Sequence, residues 1–258
     1  MDRPLPRAWQ TLLRYPVLAL VPVVWELLSA GLLWLLGLRS PAPSSQFAVK
    51  FLLPSVLPSG GELLGAARVT FGIGAPFLLL AVAVVQLLLS SLVGAGFLHL
   101  LRGALRDQPP TWGRFTEGIT RFGPRLLTWN LIIGGVVMIV ALMGAAVGPA
   151  MALLMIIGFL LTLFLVLVPY LIVVDDCTVG EAVSHASGRF MENLGDLLVI
   201  ALTSVALSAA VSFLLSALSI RWLVVASPLW GFMGTAMTLA VVAVVVPPWD
   251  TPQAQELA

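Results

Sequence analysis

The sequence predicts an all-α, polytopic membrane protein: six transmembrane helices in three hairpins, each hairpin preceded by an interfacial amphipathic helix. Three observations lead there. Hydrophobic residues fill 60% of the 258 positions and charged residues only 10%, against about 25% charged in soluble domains. The mean hydropathy is +1.07, so the surface has to be solvated by lipid. Six apolar stretches each reach the length needed to cross a hydrocarbon layer of roughly 30 Å, which takes about 20 residues at about 1.5 Å apiece. Basic residues collect beside alternate ends of these stretches.

The stretches run from Tyr15 to Gly37, Phe71 to Leu101, Leu126 to Val147, Pro149 to Val174, Leu197 to Ile220 and Trp222 to Val246. Arg3, Arg7 and Arg14 precede the first, as in a secretion signal, but its apolar part exceeds a signal core, contains Glu26 and leads to no small-residue cleavage site. It reads as an uncleaved crossing. The second is long enough to tilt, and Pro76 within it and Pro169 in the fourth are expected to kink their helices. The whole chain, 1–258, reads as one membrane domain with hairpin units of approximately 5–104, 111–174 and 178–246. An outer loop, 38–61, rich in Pro, Ser and Gly, lengthens the first unit; "FAVKFLLPSVL" within it suits the lipid surface.

Positively charged flanks are retained in the cytoplasm. With the N-terminus inside, the inner segments hold Arg3, Arg7, Arg14, Arg102, Arg106, Arg114, Arg121, Arg125 and Arg189, and the outer ones Arg39, Lys50, Arg68 and Arg221. Nine against four predicts both termini cytoplasmic. Trp9, Tyr15, Trp112, Trp129 and Trp249 fall near the inner interface and Trp34 and Trp222 near the outer one, where indole rings prefer to sit.

Three amphipathic segments follow from helical periodicity. In "TVGEAVSHASGRFMENLGDLL", Val179, Ala182, Val183, Ala186 and Phe190 share one side, and Thr178 with Glu181 fits a capping box that satisfies free amides at a helix start. In "TWGRFTEGITRFGPRLL" the apolar side is Trp112, Phe115, Ile119 and Phe122; in "LPRAWQTLLRYP" it is Leu5, Trp9 and Leu12. The first two open with Thr-x-Gly and reach Arg-Phe, at Arg121-Phe122 and Arg189-Phe190, before a crossing. Thr111 and Thr178 stand 67 residues apart, and a third such step ends at Val245. Duplication of a hairpin unit explains this pattern; so does convergence on Arg and aromatic residues at a membrane interface.

Glu26 lies deep in the first crossing, where burying an acid costs about 2.5 kcal/mol or more. Gln86, Thr162, His99 and Asn130 are its polar neighbours by expected depth. Glu26, Gln86, His99 and Asn130 form either an intramembrane polar path for a proton or small solute, or a set of packing hydrogen bonds around a protonated Glu26. Ser204, Ser208, Ser212 and Ser216 recur every four residues, a small-residue stripe that lets helices approach closely. Gly144 with Gly148, and Gly231 with Thr235, give similar pairs.

Enzyme readings find little. Two histidines, His99 and His185, do not make a zinc site by spacing, and no nucleophile motif or phosphate-binding glycine loop occurs. Cys177, the one cysteine, lies beside Asp175 and Asp176 and lacks the positive surroundings of a reactive thiol. Asp175 and Asp176 with Glu181, Glu192 and Asp196 form an acidic rim, read as solvated helix-end residues or as oxygen ligands for a divalent cation. No cofactor and no nucleic-acid partner are expected at a net charge of +1.

With "FTEGITRF" before the third crossing, "PYLIVVDDCTVGEAVSHASGRFMEN" after the fourth and "NLGDLLVIAL" opening the fifth, the chain resembles the bacterial membrane families grouped around the membrane domain of glycerophosphoryl diester phosphodiesterases. The resemblance spans roughly Arg7 to Val246. It implies a six-helix integral module of the bacterial cytoplasmic membrane, accessory or transport-related. These residues contain no phosphodiesterase domain, so no catalytic residue carries over. Two functions follow as expectations. The first is a module binding membrane lipids, anionic headgroups among them, or a partner protein through Arg102, Arg106, Arg114, Arg121, Arg125 and Arg189. The second is a transporter of a small solute or lipid with Glu26 central; a membrane-embedded enzyme ranks third.

Overall fold

The computed structural model describes residues 4–35, 76–147, 165–217 and 223–246. Among them all regular structure is helical: α1 (Pro4–Arg14), a 3-10 turn (Pro16–Ala19), α2 (Leu20–Leu35), α3 (Pro76–Leu105), α4 (Trp112–Val147), α5 (Val168–Val174), α6 (Val179–Glu192), α7 (Leu194–Ala217) and α8 (Leu223–Val245). Val84–Leu105 of α3 is by itself long and apolar enough to cross a membrane. Two bent pairs also qualify if each is one span: Pro4–Arg14 with Pro16–Ser29, and Val179–Glu192 with Leu194–Leu207. The outer loop, the "FGIG" stretch, Gly148 and the fourth crossing before Leu165, Thr162 included, lie outside the described residues.

The bends have local causes. Tyr15 leaves helical geometry at φ −126° and ψ 66°, because Pro16 disfavours the α region for the residue before it, and α2 departs at 96° from α1. Asn193 ends α6 by donating from both its backbone N–H and its side-chain amide to the Arg189 carbonyl, at 3.2 and 2.9 Å. The chain then turns by 85° into α7.

The second amphipathic segment behaves differently. Instead of a separate interfacial helix, it runs without a break into the following apolar stretch as the 36-residue α4, with Pro124 inside. Phe122, Gly123 and Leu126 are all buried, and a Cβ at Gly123 would lie 2.8 Å from Leu92 of α3. Helix α3 packs against α4 on both sides of Pro124, through Gly118 and through Asn130. Of the two prolines expected to kink helices, Pro76 lies at the edge of the described residues, while Pro169, in the fourth crossing, is the second residue of α5, just after a two-residue turn at 166–167 that interrupts the helix. A proline costs little there because its missing N–H would have had no intrahelical acceptor.

Helices α3 and α4 form an antiparallel hairpin with the most extensive contact among the described elements. Their backbones meet at two glycines: a Cβ on Gly118 would lie 2.6 Å from His99 Cβ and 3.0 Å from Gly96 Cα, and one on Gly96 would strike the Phe115 ring at 2.6 Å. Farther along, Asn130 Nδ2 donates to Ser91 Oγ at 2.8 Å. Helix α1 packs on α8, where Trp9 and Phe232 bring their ring centroids to 5.8 Å. Gly231 of α8 lets α2 approach, since a Cβ there would meet Val23 at 2.5 Å. Large apolar side chains are left exposed along α2, α3, α4 and α7, among them Leu28, Leu88, Leu131 and Leu202.

Candidate functional site

The site is built from helix ends. The last carbonyls of a helix have no intrahelical partner, and at α3 the chain closes them with a Schellman turn. Gln108 N–H donates to the Gly103 carbonyl at 3.0 Å and Asp107 N–H to that of Ala104 at 3.1 Å. Asp107 takes the left-handed conformation this requires, at φ 58°, which Asp tolerates better than most residues. The remaining Leu105 carbonyl accepts from Arg7 of α1 at 3.1 Å. Arg14 then pairs with the Asp107 carboxylate.

The end of α5 repeats the arrangement. Arg102 of α3 donates to the Val173 carbonyl at 2.8 Å. Asp176 is left-handed at φ 52° and its carboxylate is clasped by Arg121 and Arg125 of α4, the latter at 2.8 Å. Arg125 also reaches the Cys177 carbonyl at 3.3 Å. Twice, therefore, a left-handed Asp after an apolar helix is held by an Arg from the amphipathic segment upstream. These bonds bring the N-terminal helix, the α3–α4 turn and the α5–α6 turn to one end of the fold.

That end carries Arg102, Arg106, Arg114, Arg121 and Arg125. Arg114 is hydrogen-bonded to Gln108, and a cavity of about 220 Å³ is lined by His99, Arg102, Gly103, Arg106, Gln108 and Arg121. Arg189 lies apart from it, lining a wider hollow of about 790 Å³ with Asp175, Glu181, His185 and Glu192.

Partial burial pushes the Asp176 carboxyl up, but hydrogen bonds and charge from Arg121 and Arg125 outweigh it and hold the group below its ordinary range. Glu181 is also held low, chiefly by the Thr178 N–H that donates to it at 2.7 Å. Together with the Glu181 N–H on Thr178 Oγ1 at 3.4 Å, this forms the expected capping box of α6. Burial, then the neighbouring Asp175 charge, raise the Cys177 thiol, whose Sγ donates to the Leu171 carbonyl at 3.4 Å.

Among the described residues no group of three or more His, Cys, Asp or Glu is arranged to hold an ion. Asp176 is committed to two arginines and Glu181 to its cap. Asp176 was expected to be a solvated helix-end residue; it is instead the half-buried anchor of the Arg121 and Arg125 pair.

Glu26, Gln86, His99 and Asn130, read as a polar path or as packing residues, are placed on three helices. His99 on α3 lies 3.8 Å from the Glu117 carboxylate and 5.5 Å from the Phe122 ring centroid. Asn130 is bonded to Ser91, a residue the apolar pattern gave no reason to single out. Gln86 is half-buried on α3, and Glu26 is buried within α2 at 1% exposure. Neither cavity described above has Glu26, Gln86 or Asn130 among its described lining residues. Ser204 is buried; Ser208, Ser212 and Ser216 continue along α7, their side chains outside the described set. Of the expected apolar faces Ala182, Ala186, Phe115, Phe122 and Leu12 are buried, and Ala8 is buried beside Leu12, whereas Val183 is exposed and Trp112, 75% exposed, stacks on Phe115 with centroids 5.1 Å apart.

Asp107, Gln108 and Glu117 also belong to the site and carry no sequence signal, since their partners lie on other helices or across a turn. The chain matches no protein-family model, no curated protein and no solved structure.

Proposed function

We propose that the protein is an integral module of the bacterial cytoplasmic membrane, six crossings in three hairpins with both termini cytoplasmic, whose arginine-rich end engages anionic lipid headgroups. The observation that carries this reading is the pairing of two surfaces: exposed apolar side chains along α2, α3, α4 and α7, and five arginines gathered at one end of the same bundle. Lipid tails cover the first, and each Arg near an anionic leaflet gains about 1 kcal/mol. The chain leaves the charged end after Arg14 and returns at Asp107, then leaves after Arg125 and returns at Asp176. Such returns fit an even number of crossings each time.

Lipid analysis of protein purified from native membranes tests this reading. Anionic lipid is expected to be enriched over the bulk membrane, and the enrichment is expected to fall in a variant with Arg106 and Arg114 changed to Gln, chosen to leave the Arg121 and Arg125 clasp intact. Equal enrichment in both proteins contradicts the role. The burial of Glu26 favours a second reading, a transporter. Glu26→Gln abolishing solute flux in proteoliposomes with the fold intact would favour it.

A further inference from the structure

We propose that the cavity at the end of α3 binds a single phosphate group, as a free oxyanion or as the headgroup of a phospholipid. The lipid source rests on the membrane reading above; the site itself does not. His99, Arg102 and Gly103 fall on one stripe of α3, and Arg106, in the turn that closes the helix, continues it. Arg121 of α4 completes the cavity they line, with Gln108 from the turn. Three guanidinium groups and an imidazole converge there, and no carboxylate is among the described lining residues. Asp107 holds Arg14, while Asp176 pairs with the lining residue Arg121 and Glu117 flanks the lining residue His99, neither acid being among the described lining residues itself.

The geometry is also pre-set. Arg102 is anchored by the Val173 carbonyl at 2.8 Å and Arg121 by Asp176, so the donor fork, whose planar geometry matches phosphate oxygens, is largely ordered before a ligand arrives. Gly103 keeps the floor of the stripe open: a Cβ there would already approach Arg114 Nη1 at 2.9 Å. A volume of about 220 Å³, at about 30 Å³ per water, takes one phosphate with either its hydration or the first atoms of an ester arm.

The test uses the full chain in phosphatidylcholine nanodiscs and reads the melting temperature, which rises when a ligand binds only the folded state. Inorganic phosphate is added in one arm, against chloride at equal ionic strength; phosphatidate replaces part of the bilayer in the other. At least one is expected to raise the melting temperature of the native protein and of Arg189→Gln, a charge-matched control outside the cavity. Arg106→Gln should lose affinity tenfold or more, and Arg106→Lys should keep part of the response. A shift with phosphate alone identifies a soluble ligand, and one with phosphatidate identifies the headgroup; either supports the site. His99→Gln repeats the comparison if Arg106→Gln does not fold. No shift in either arm, or equal losses in Arg106→Gln and Arg189→Gln, overturns the proposal and leaves a diffuse charged surface, with the membrane reading untouched. A phosphate response without anionic-lipid enrichment would instead remove the lipid role and keep the site.

Discussion

Arg125 Nη1 donates a 2.8 Å hydrogen bond to Asp176 Oδ1 and so fastens α4 to the turn that follows α5. Because Arg121 closes on the same carboxylate, Asp176 joins elements 51 and 55 residues away in sequence. Asp176→Asn keeps the shape and the tolerance for left-handed backbone but removes the charge. It should cost on the order of 1 kcal/mol, since the pair is partly open to solvent and screened. Thermal unfolding in detergent, run as a double-mutant cycle with Arg125→Gln, should return a coupling energy of similar size; strict additivity would mean that the pair contributes nothing.

The same contact predicts an acid sensitivity. The folded-state pKa of Asp176 is depressed, so its contribution is fully present above the unfolded value of about 3.9 and is lost as pH falls through the folded value. Glu181, also depressed, acts in the same direction. Melting temperature should therefore fall more steeply below about pH 4 in the native protein than in Asp176→Asn. Parallel pH profiles would contradict the assignment.

Where α3 crosses α4, Gly118 leaves no room. A Cβ would sit 2.6 Å from His99 Cβ and 3.1 Å from the Ala95 carbonyl, neither of which is a flexible end. Gly118→Ala should destabilise by about 1–3 kcal/mol, the range for overpacking. Gly134→Ala, farther along α4 with nothing within 4 Å, should leave stability unchanged or higher. A reversed order would refute the close approach.

At α6, Thr178→Ala removes the cap that accepts the Glu181 N–H. Such losses cost about 1 kcal/mol. Hydrogen exchange should accelerate in the first turn of α6 while the amides of α3 and α4 stay protected.

The helical fold, with helices long and apolar enough to cross a membrane, and the capping box were legible because they follow from local patterns: long apolar runs, helical spacing, and Thr178 three residues before Glu181. The separation of α1 from α2 and of α6 from α7 was legible as amphipathic segments giving way to apolar runs, but the residues that make the bends, Pro16 and Asn193, were not singled out. The continuity of α4 was not, because Gly123-Pro124 reads as a break and only packing on α3 overrides it. The arginines were visible as a charged set, but their geometry was hidden, since Asp107 and Asp176 gain meaning from partners far away in sequence. Glu26 drew notice as an acid inside an apolar run, yet a run of sequence carries no information about what surrounds it.

The account places the arginine-rich end of the bundle at the cytoplasmic face of a membrane, and single-cysteine labelling tests that most directly. In a Cys177→Ser background, Gly113→Cys puts a thiol at the start of α4, where a Cβ meets nothing within 4 Å. A membrane-impermeant maleimide should label it in inverted membrane vesicles and not in intact cells. Labelling in intact cells, or a chain recovered without detergent in the soluble fraction, would contradict the account.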